Sequence, residues 1–164
     1  MIIRATKKTM DKIKLKEFNV DSVSNEMPLN EWYLNHFKLD RKGYFILTES
    51  ISLFSIIEES VGISNLNILK NWLEIVFRKF EKDNSLSENA IDTKNIVLLK
   101  TNNKKILGSQ NELIRMAENI FYYDDENYED LGRVNNTPMM YTKSFPQKDI
   151  ISEINRRKNL DRLY

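Results

Sequence analysis

The stretch of this chain richest in groups that can hold a ligand is "KTNNKKILGSQNEL", Lys100 to Leu113. Ser109 followed three residues later by Glu112 reads as a capping box. The serine oxygen accepts from the amide three residues on, and the glutamate returns to the serine amide. Gly108 lets the chain turn sharply just before that cap. A helix start displays unpaired amides and a partial positive charge, which together attract anions. Asn102, Asn103, Lys104 and Lys105 stand upstream, with Ser109 and Asn111 at the expected helix start. These six residues form a candidate site for a phosphate, a carboxylate or an acidic side chain. The stretch is not a P-loop, because the glycine spacing and the Gly-Lys-Ser/Thr order are missing. A strand, a turn and a capped helix would need Gly108, Ser109 and Glu112 for architecture alone. Binding is therefore to be sought first among Asn102, Asn103, Lys104 and Lys105.

Other reactive groups are sparse. His36 is the sole histidine, and no serine or cysteine arrangement singles out a nucleophile beside it. Cysteine is absent, which excludes disulfides and thiolate metal sites. The run "DDENYED" lacks the alternating acids and central glycine of a calcium loop. No metal and no cofactor are expected. Tyr122, Tyr123 and Tyr128 interleave with Asp124, Asp125 and Glu126, an aromatic–acidic mixture that suits a protein interface. Arg4, Lys7, Lys8 and Lys12 crowd the N-terminus and form the expected basic surface. They lack the interleaved aromatics of a stacking platform, and no zinc-finger, RNA-recognition or KH signature accompanies them.

The elements that must position these groups follow from pattern. The chain has 164 residues and a formal net charge of +1, so it fits one domain spanning 1–164 with no global field toward nucleic acid. No apolar run reaches the roughly 20 residues of a membrane helix, and no signal-peptide core follows the apolar start. A cytoplasmic protein is expected. The wealth of Lys, Asn and Ile matches AT-rich codons, as in a low-GC bacterium or its mobile elements.

"MIIRAT" predicts a first strand, and Thr6 caps a short helix from about Lys7 to Lys16 with Met10 and Ile13 inward. "EWYLNHFKLD" alternates, placing Tyr33, Phe37 and Leu39 on one side and His36 and Lys38 on the other. "DRKG" predicts a hairpin turn with Gly43 in the left-handed position. "YFILTES" and "SLFSIIEES" complete a three-stranded antiparallel meander. Residues 64–82 form the clearest helix, capped by Ser64 and stapled by Ile63 and Ile68. Leu66, Leu69, Leu73, Val76, Phe77 and Phe80 make its apolar stripe, widened by Trp72 and Ile75. "NIVLLKT" predicts a short buried strand, and helices follow at about 109–122 and 147–158. Residues 17–30 and the acidic stretch read as loops, and "GRVNNTPMMYTKSFP" as extended chain. The order β-α-β-β-β-α-β-α-α is α+β: a mostly antiparallel sheet of N-terminal strand, meander and one further strand, with three to four helices on it.

Three segments, "MIIRATKK", "TNNKKILGSQNEL" and "RVNNTPM", taken with "EWY…DR" and "LFS", resemble an uncharacterised family of small bacterial and phage proteins classified as a domain of unknown function. The chain departs from it at Val134, where the family pattern has leucine. The resemblance implies that Arg4, Thr101, Asn102, Gly108, Ser109, Asn111, Asn136, Thr137 and Pro138 belong to the pattern, and it brings no activity with it.

The leading functional expectation is a non-enzymatic binding protein that occupies a partner's surface, such as a phage or mobile-element inhibitor of a host defence complex, anti-CRISPR-like in mode. The alternative is a nucleic-acid or nucleotide-phosphate binder using residues 102–111 and the basic N-terminal helix. A third reading is a metal-dependent hydrolase built on His36 and the acidic loop.

Overall fold

Five short runs of β-branched and aromatic residues build one sheet, and its order is decided by where their apolar faces can be covered. In the computed structural model, residues 1–15, 29–86, 90–101, 103–123, 131–136, 139 and 144–160 are described. The strands are β1 (Ile2–Ala5), β2 (Glu31–Leu39), β3 (Lys42–Glu49), β4 (Ser55–Glu59) and β5 (Val97–Lys100). The helices are α1 (Lys7–Lys12), α2 (Leu66–Asp83), α3 (Lys104–Tyr123) and α4 (Pro146–Leu160), with a 3-10 turn at Leu131–Asn136 between the last two. This is the predicted order and the predicted α+β class.

The sheet runs β4-β3-β2-β1-β5. Its longer ladders, β2 with β3 and β3 with β4, are antiparallel and form the meander. β1 lies parallel to both β2 and β5. Parallel neighbours need a crossover: α1 and the following segment carry the chain from β1 to β2, and α2 carries it from one sheet edge to the other.

Both faces are covered. On one, Ile3, Trp32, Leu34, Phe45 and Leu47 meet Leu69, Leu73 and Phe77 of α2 together with Ile13, Ile150 and Ile154. Trp32 sits edge-on to Phe77 and Phe80 at 5.1 and 5.8 Å. On the other, Tyr33, Phe37, Tyr44 and Ile46 meet Ile106, Leu113 and Ala117 of α3 and Val134 of the 3-10 turn. Period-two alternation along β2 and β3 feeds both clusters, which is why residues 44–47 read as apolar on every side.

Several local expectations are corrected. α3 starts at Lys104, five residues before the predicted cap, because Asn103 takes that role. Its Oδ1 accepts from the Lys105 and Ile106 amides at 3.0 and 3.3 Å. Ser109 therefore lies inside the helix and is buried, and no capping box forms. α2 is capped by Asn65 rather than Ser64, its side chain accepting from the Ile68 amide. Ile75 points to solvent at 69% exposure and does not widen the stripe. α1 ends at Lys12, although Thr6 caps it as expected. The hairpin turn consists of Asp40 and Arg41 alone, both at positive φ, and Gly43 takes no such angle. β5 is a sheet edge, not a buried strand, with Val97 51% exposed. Residues 132–136 of the expected extended stretch belong instead to the 3-10 turn Leu131–Asn136.

Candidate anion-binding site

Parallel strands that send their following helices to opposite faces leave a crevice beyond their carboxyl ends, the usual place for ligands in open sheets. β1 and β5 meet that condition. From β1 the chain passes through Thr6 into α1 on the Trp32 face, and from β5 it passes through Thr101 and Asn103 into α3 on the Tyr33 face. The two exits are held side by side, since the Thr101 amide donates to the Ala5 carbonyl at 3.1 Å and the Thr6 amide to Leu34 at 3.0 Å. Thr6 Oγ1 also donates to Asn35 Oδ1 at 2.8 Å, tying the mouth to β2.

Lys7 and Lys8 from one exit and Lys100, Lys104 and Lys105 from the other are exposed around this crevice. Neighbouring strands lie about 4.8 Å apart, so the two lysine groups, about a hundred residues apart in sequence, flank one pair of adjacent strand ends from opposite faces of the sheet and form the two sides of its rim. At its base the Thr101 hydroxyl is buried and has no hydrogen-bond partner among the described residues. Asn103 occupies two of the first α3 amides, while the Lys104 amide has no partner among the described residues. The positive end of a 20-residue helix is thereby presented to the rim.

Beneath α3 lies a buried charge network joining three distant segments. Arg4 Nε donates to Glu31 Oε1, and both residues are buried. The Tyr33 hydroxyl donates to the same carboxylate at 3.1 Å. Burial, reinforced by the Glu31 charge, pushes the Tyr33 phenol up to about 12, with Arg4 and a hydrogen bond with Asn103 acting in the opposite sense. The phenol stays protonated and serves as a donor. Arg4, expected on the basic surface, is thus internal at 2% exposure, because its guanidinium is needed to balance Glu31.

The other expected site residues divide. Asn111 is exposed two turns along α3, and Lys12 is half-buried beside His36. Tyr122 and Tyr123 are exposed at 58% and 82%, but at the far end of α3. At 1.5 Å per residue that end lies roughly 28 Å from Lys104. Tyr122 and Tyr123 therefore stand on a different surface from Asn103, Lys104 and Lys105. Asn102, Asp124, Asp125, Glu126 and Tyr128 lie outside the described residues, as do Thr137 and Pro138. Among the described residues, no group of three His, Cys, Asp or Glu side chains is arranged to hold a metal ion. No described helix is long and apolar enough to cross a membrane.

A family model for a domain of unknown function, DUF6933, matches residues 2–149. The chain belongs to that family. No curated protein and no solved structure matches it. The DUF6933 match takes in β1, the α3 entry and the 3-10 turn, so the fold gives those segments physical roles. Arg4 and Asn103 meet in the network under α3. In "RVNNTPM" the working residue is Asn135 rather than Asn136, which is exposed. Asn135 is 3% exposed and brackets Ser55 of β4, accepting from its amide at 2.7 Å and donating to its carbonyl at 2.8 Å. Glu31, Tyr33 and Asn135 were passed over in the sequence. The signal that could have found Glu31 is an acid directly before a buried aromatic on a strand with no solvent face.

Proposed function

We propose that this DUF6933 protein binds a phosphate-bearing ligand, a nucleotide or a nucleic-acid backbone, at the crevice between β1 and β5. The observation that carries this reading is the convergence of Lys7 and Lys8 with Lys104 and Lys105 at one parallel-strand exit, over the buried, unpartnered Thr101 hydroxyl. Five exposed lysines on one rim gain mainly by releasing counterions, so binding is salt-dependent and weakly sequence-selective. No catalytic step is assigned.

The test is fluorescence anisotropy with labelled single-stranded DNA and with a labelled nucleotide, followed through a salt titration. Binding at about 50 mM salt should weaken steeply toward 200 mM. The paired change Lys104→Glu and Lys105→Glu should abolish it while the melting temperature holds. No binding at the low salt, or binding that ignores both salt and the charge reversal, would refute the reading.

A second reading is favoured by Tyr122 and Tyr123, two large aromatics standing in solvent at the end of α3. Exposed tyrosines are typical anchors of protein interfaces. On that reading the protein inhibits a partner by occupying its surface, as a phage-borne or bacterial antagonist of a defence complex would. Tyr122→Ala with Tyr123→Ala would then eliminate a stoichiometric protein recovered by affinity purification from the host, and the lysine reversals would not.

A further inference from the structure

β4 is an edge strand, and its unpaired groups can be assigned from the ladder. The Ser60 amide donates to the Gly43 carbonyl and the Glu49 amide to Phe54. The antiparallel register then makes Phe45–Glu58 and Leu47–Ile56 the hydrogen-bonded pairs. Ser55, Ile57 and Glu59 consequently turn their amides and carbonyls away from β3, toward the open side. Asn135 already satisfies Ser55 there, its carboxamide doing what the backbone of a sixth strand would do. Two residues on, neither the amide nor the carbonyl of Ile57 has a partner among the described residues. Native proteins normally cover or blunt such an edge, since it templates strand pairing.

Among the described residues no strand covers this edge, and it looks onto a groove. One hollow of about 590 Å³ lies between β4, α2 and the 3-10 turn, and a second of about 600 Å³ lies between β4, the β2–β3 turn and the end of α3. They share Ile57, Glu58 and Leu131, so together they follow the length of β4. The walls differ by face. Ile57, Leu131 and Phe121 are apolar on the α3 side, while Glu58 and Lys79 form an ion pair at 3.0 Å on the α2 side. Lys42 and Glu59 pair likewise at 2.9 Å. Asp83 lines the first hollow and Asp40 the second, both exposed carboxylates that form no ion pair among the described residues and feel Lys79 and Lys42 only at longer range.

We infer that β4 and its groove receive an extended peptide, which adds as a sixth strand beyond Asn135. The peptide carries apolar side chains at alternate positions, toward Ile57, Leu131 and Phe121, and basic residues at its ends, toward Asp40 and Asp83. Main-chain bonds to Ile57 supply the common affinity and the alternate pockets supply selectivity, as in other strand-addition modules. This surface is separate from the lysine-rimmed crevice, which lies at the carboxyl ends of β1 and β5 on the other side of the sheet.

The probe is the acetylated, amidated heptapeptide Lys-Val-Thr-Val-Thr-Val-Lys, with a twin in which glutamates replace both lysines. Titration followed by backbone amide chemical shifts should move Ile57 and Glu59 and slow hydrogen exchange at Ile57. The lysine peptide should bind at least about tenfold more tightly than its twin, and Asp40→Asn with Asp83→Asn should remove that difference. Ile57→Pro deletes an outward amide that no β3 ladder bond uses, a place where edge strands accept proline. It should cost binding at least tenfold with the melt retained. Should that variant unfold, the wild-type protein is titrated with two peptides N-methylated at alternate amides in opposite registers. One should be silent and the other should bind as before.

Absence of shifts on β4 up to about 1 mM peptide, the weak limit of useful affinity, overturns the proposal. So does equal loss in both methylated registers, or binding that maps to another surface. A concentration-dependent dimer that protects Ile57 and excludes the peptide overturns it too, by making a second copy of the chain the occupant.

Discussion

The two halves of the sheet solve the same burial problem differently. In the antiparallel half, β3 and its neighbours bury Phe45, Ile46 and Leu47 at 0% exposure, and the buried polar groups there are not ion-paired: Thr48 and Ser55 bond to each other at 2.7 Å, and the Glu49 carboxylate accepts from the Ile51 and Ser52 amides at 3.0 and 2.7 Å rather than from a cation. In the parallel half, the α3 side of β1 and β2 carries Arg4, Glu31 and Tyr33, and long polar groups fill space that aliphatic side chains fill elsewhere. An apolar cluster tolerates changes that keep its volume. A buried ion pair tolerates little, because losing one member strands the other without water. The parallel half therefore trades tolerance for a defined arrangement, and that arrangement holds the α3 entry over β1.

The largest effect that would test this contrast is Glu31→Ala, expected to cost about 3–5 kcal/mol by removing the carboxylate that balances the buried Arg4 charge. Urea unfolding measures it, and Arg4→Met combined with Glu31→Leu should recover most of the loss. A Glu31→Ala cost below about 1 kcal/mol would show that the two halves do not differ in this way.

The α3 entry gives the next effect. Asn103→Ala should destabilise by about 1 kcal/mol through loss of the cap. Glu112→Ala should cost only a few tenths, since no capping box includes it. The reverse ranking would move the helix start back to Ser109.

A smaller effect has the opposite sign. Gly108 lies mid-helix on an exposed position, and a Cβ there would meet nothing within 4 Å. Gly108→Ala should stabilise by roughly 0.5–1 kcal/mol. If anisotropy shows weaker DNA binding in the same variant, the bare backbone at 108 is part of the anion surface.

The smallest concerns the antiparallel half and pH. His36 Nε2 and Ser60 Oγ are both buried with no partner among the described residues, and a Cβ on Gly43 would lie within 2.9 and 2.7 Å of them. Burial, then the nearby Lys12, Lys38 and Lys8, lower the His36 pKa from its usual 6.5. The unfolded chain then takes the proton first. Stability is fully present above pH 6.5 and falls as pH drops through that value toward the lower folded pKa. Urea midpoints at neutral and mildly acidic pH should differ by more in the wild type than in His36→Gln, and equal differences would remove the histidine from the account.

Much of the architecture was legible because it rests on local chemistry. Alternation along 31–39 and 42–49, the stripe of residues 66–80 and the Thr6 cap each depend on neighbours in sequence, so element order and the α+β class followed. The misplaced α3 start shows where local reading failed. "SQNE" and "NKK" both offer a cap, and the choice was made by Ile106, Gln110 and Leu113 packing onto the sheet, with Gln110 Nε2 donating to the Tyr33 carbonyl at 2.8 Å. That packing draws Ser109 into the helix. Arg4 failed for a related reason: a cation among lysines reads as surface until a distant Glu31 is known to lie beside it.

By itself the sequence determined the order and type of the elements, the apolar run of residues 44–47 in β3, and the exposed lysines near the N-terminus and at the start of α3, since side-chain type and period suffice for these. Only the tertiary structure decided the parallel placement of β1 between β2 and β5. With it came the meeting of Lys7 and Lys8 with Lys104 and Lys105, the burial of Arg4 and the open edge of β4. Each depends on contacts between segments far apart in the chain, and strand order is set by which faces the connecting helices can cover together.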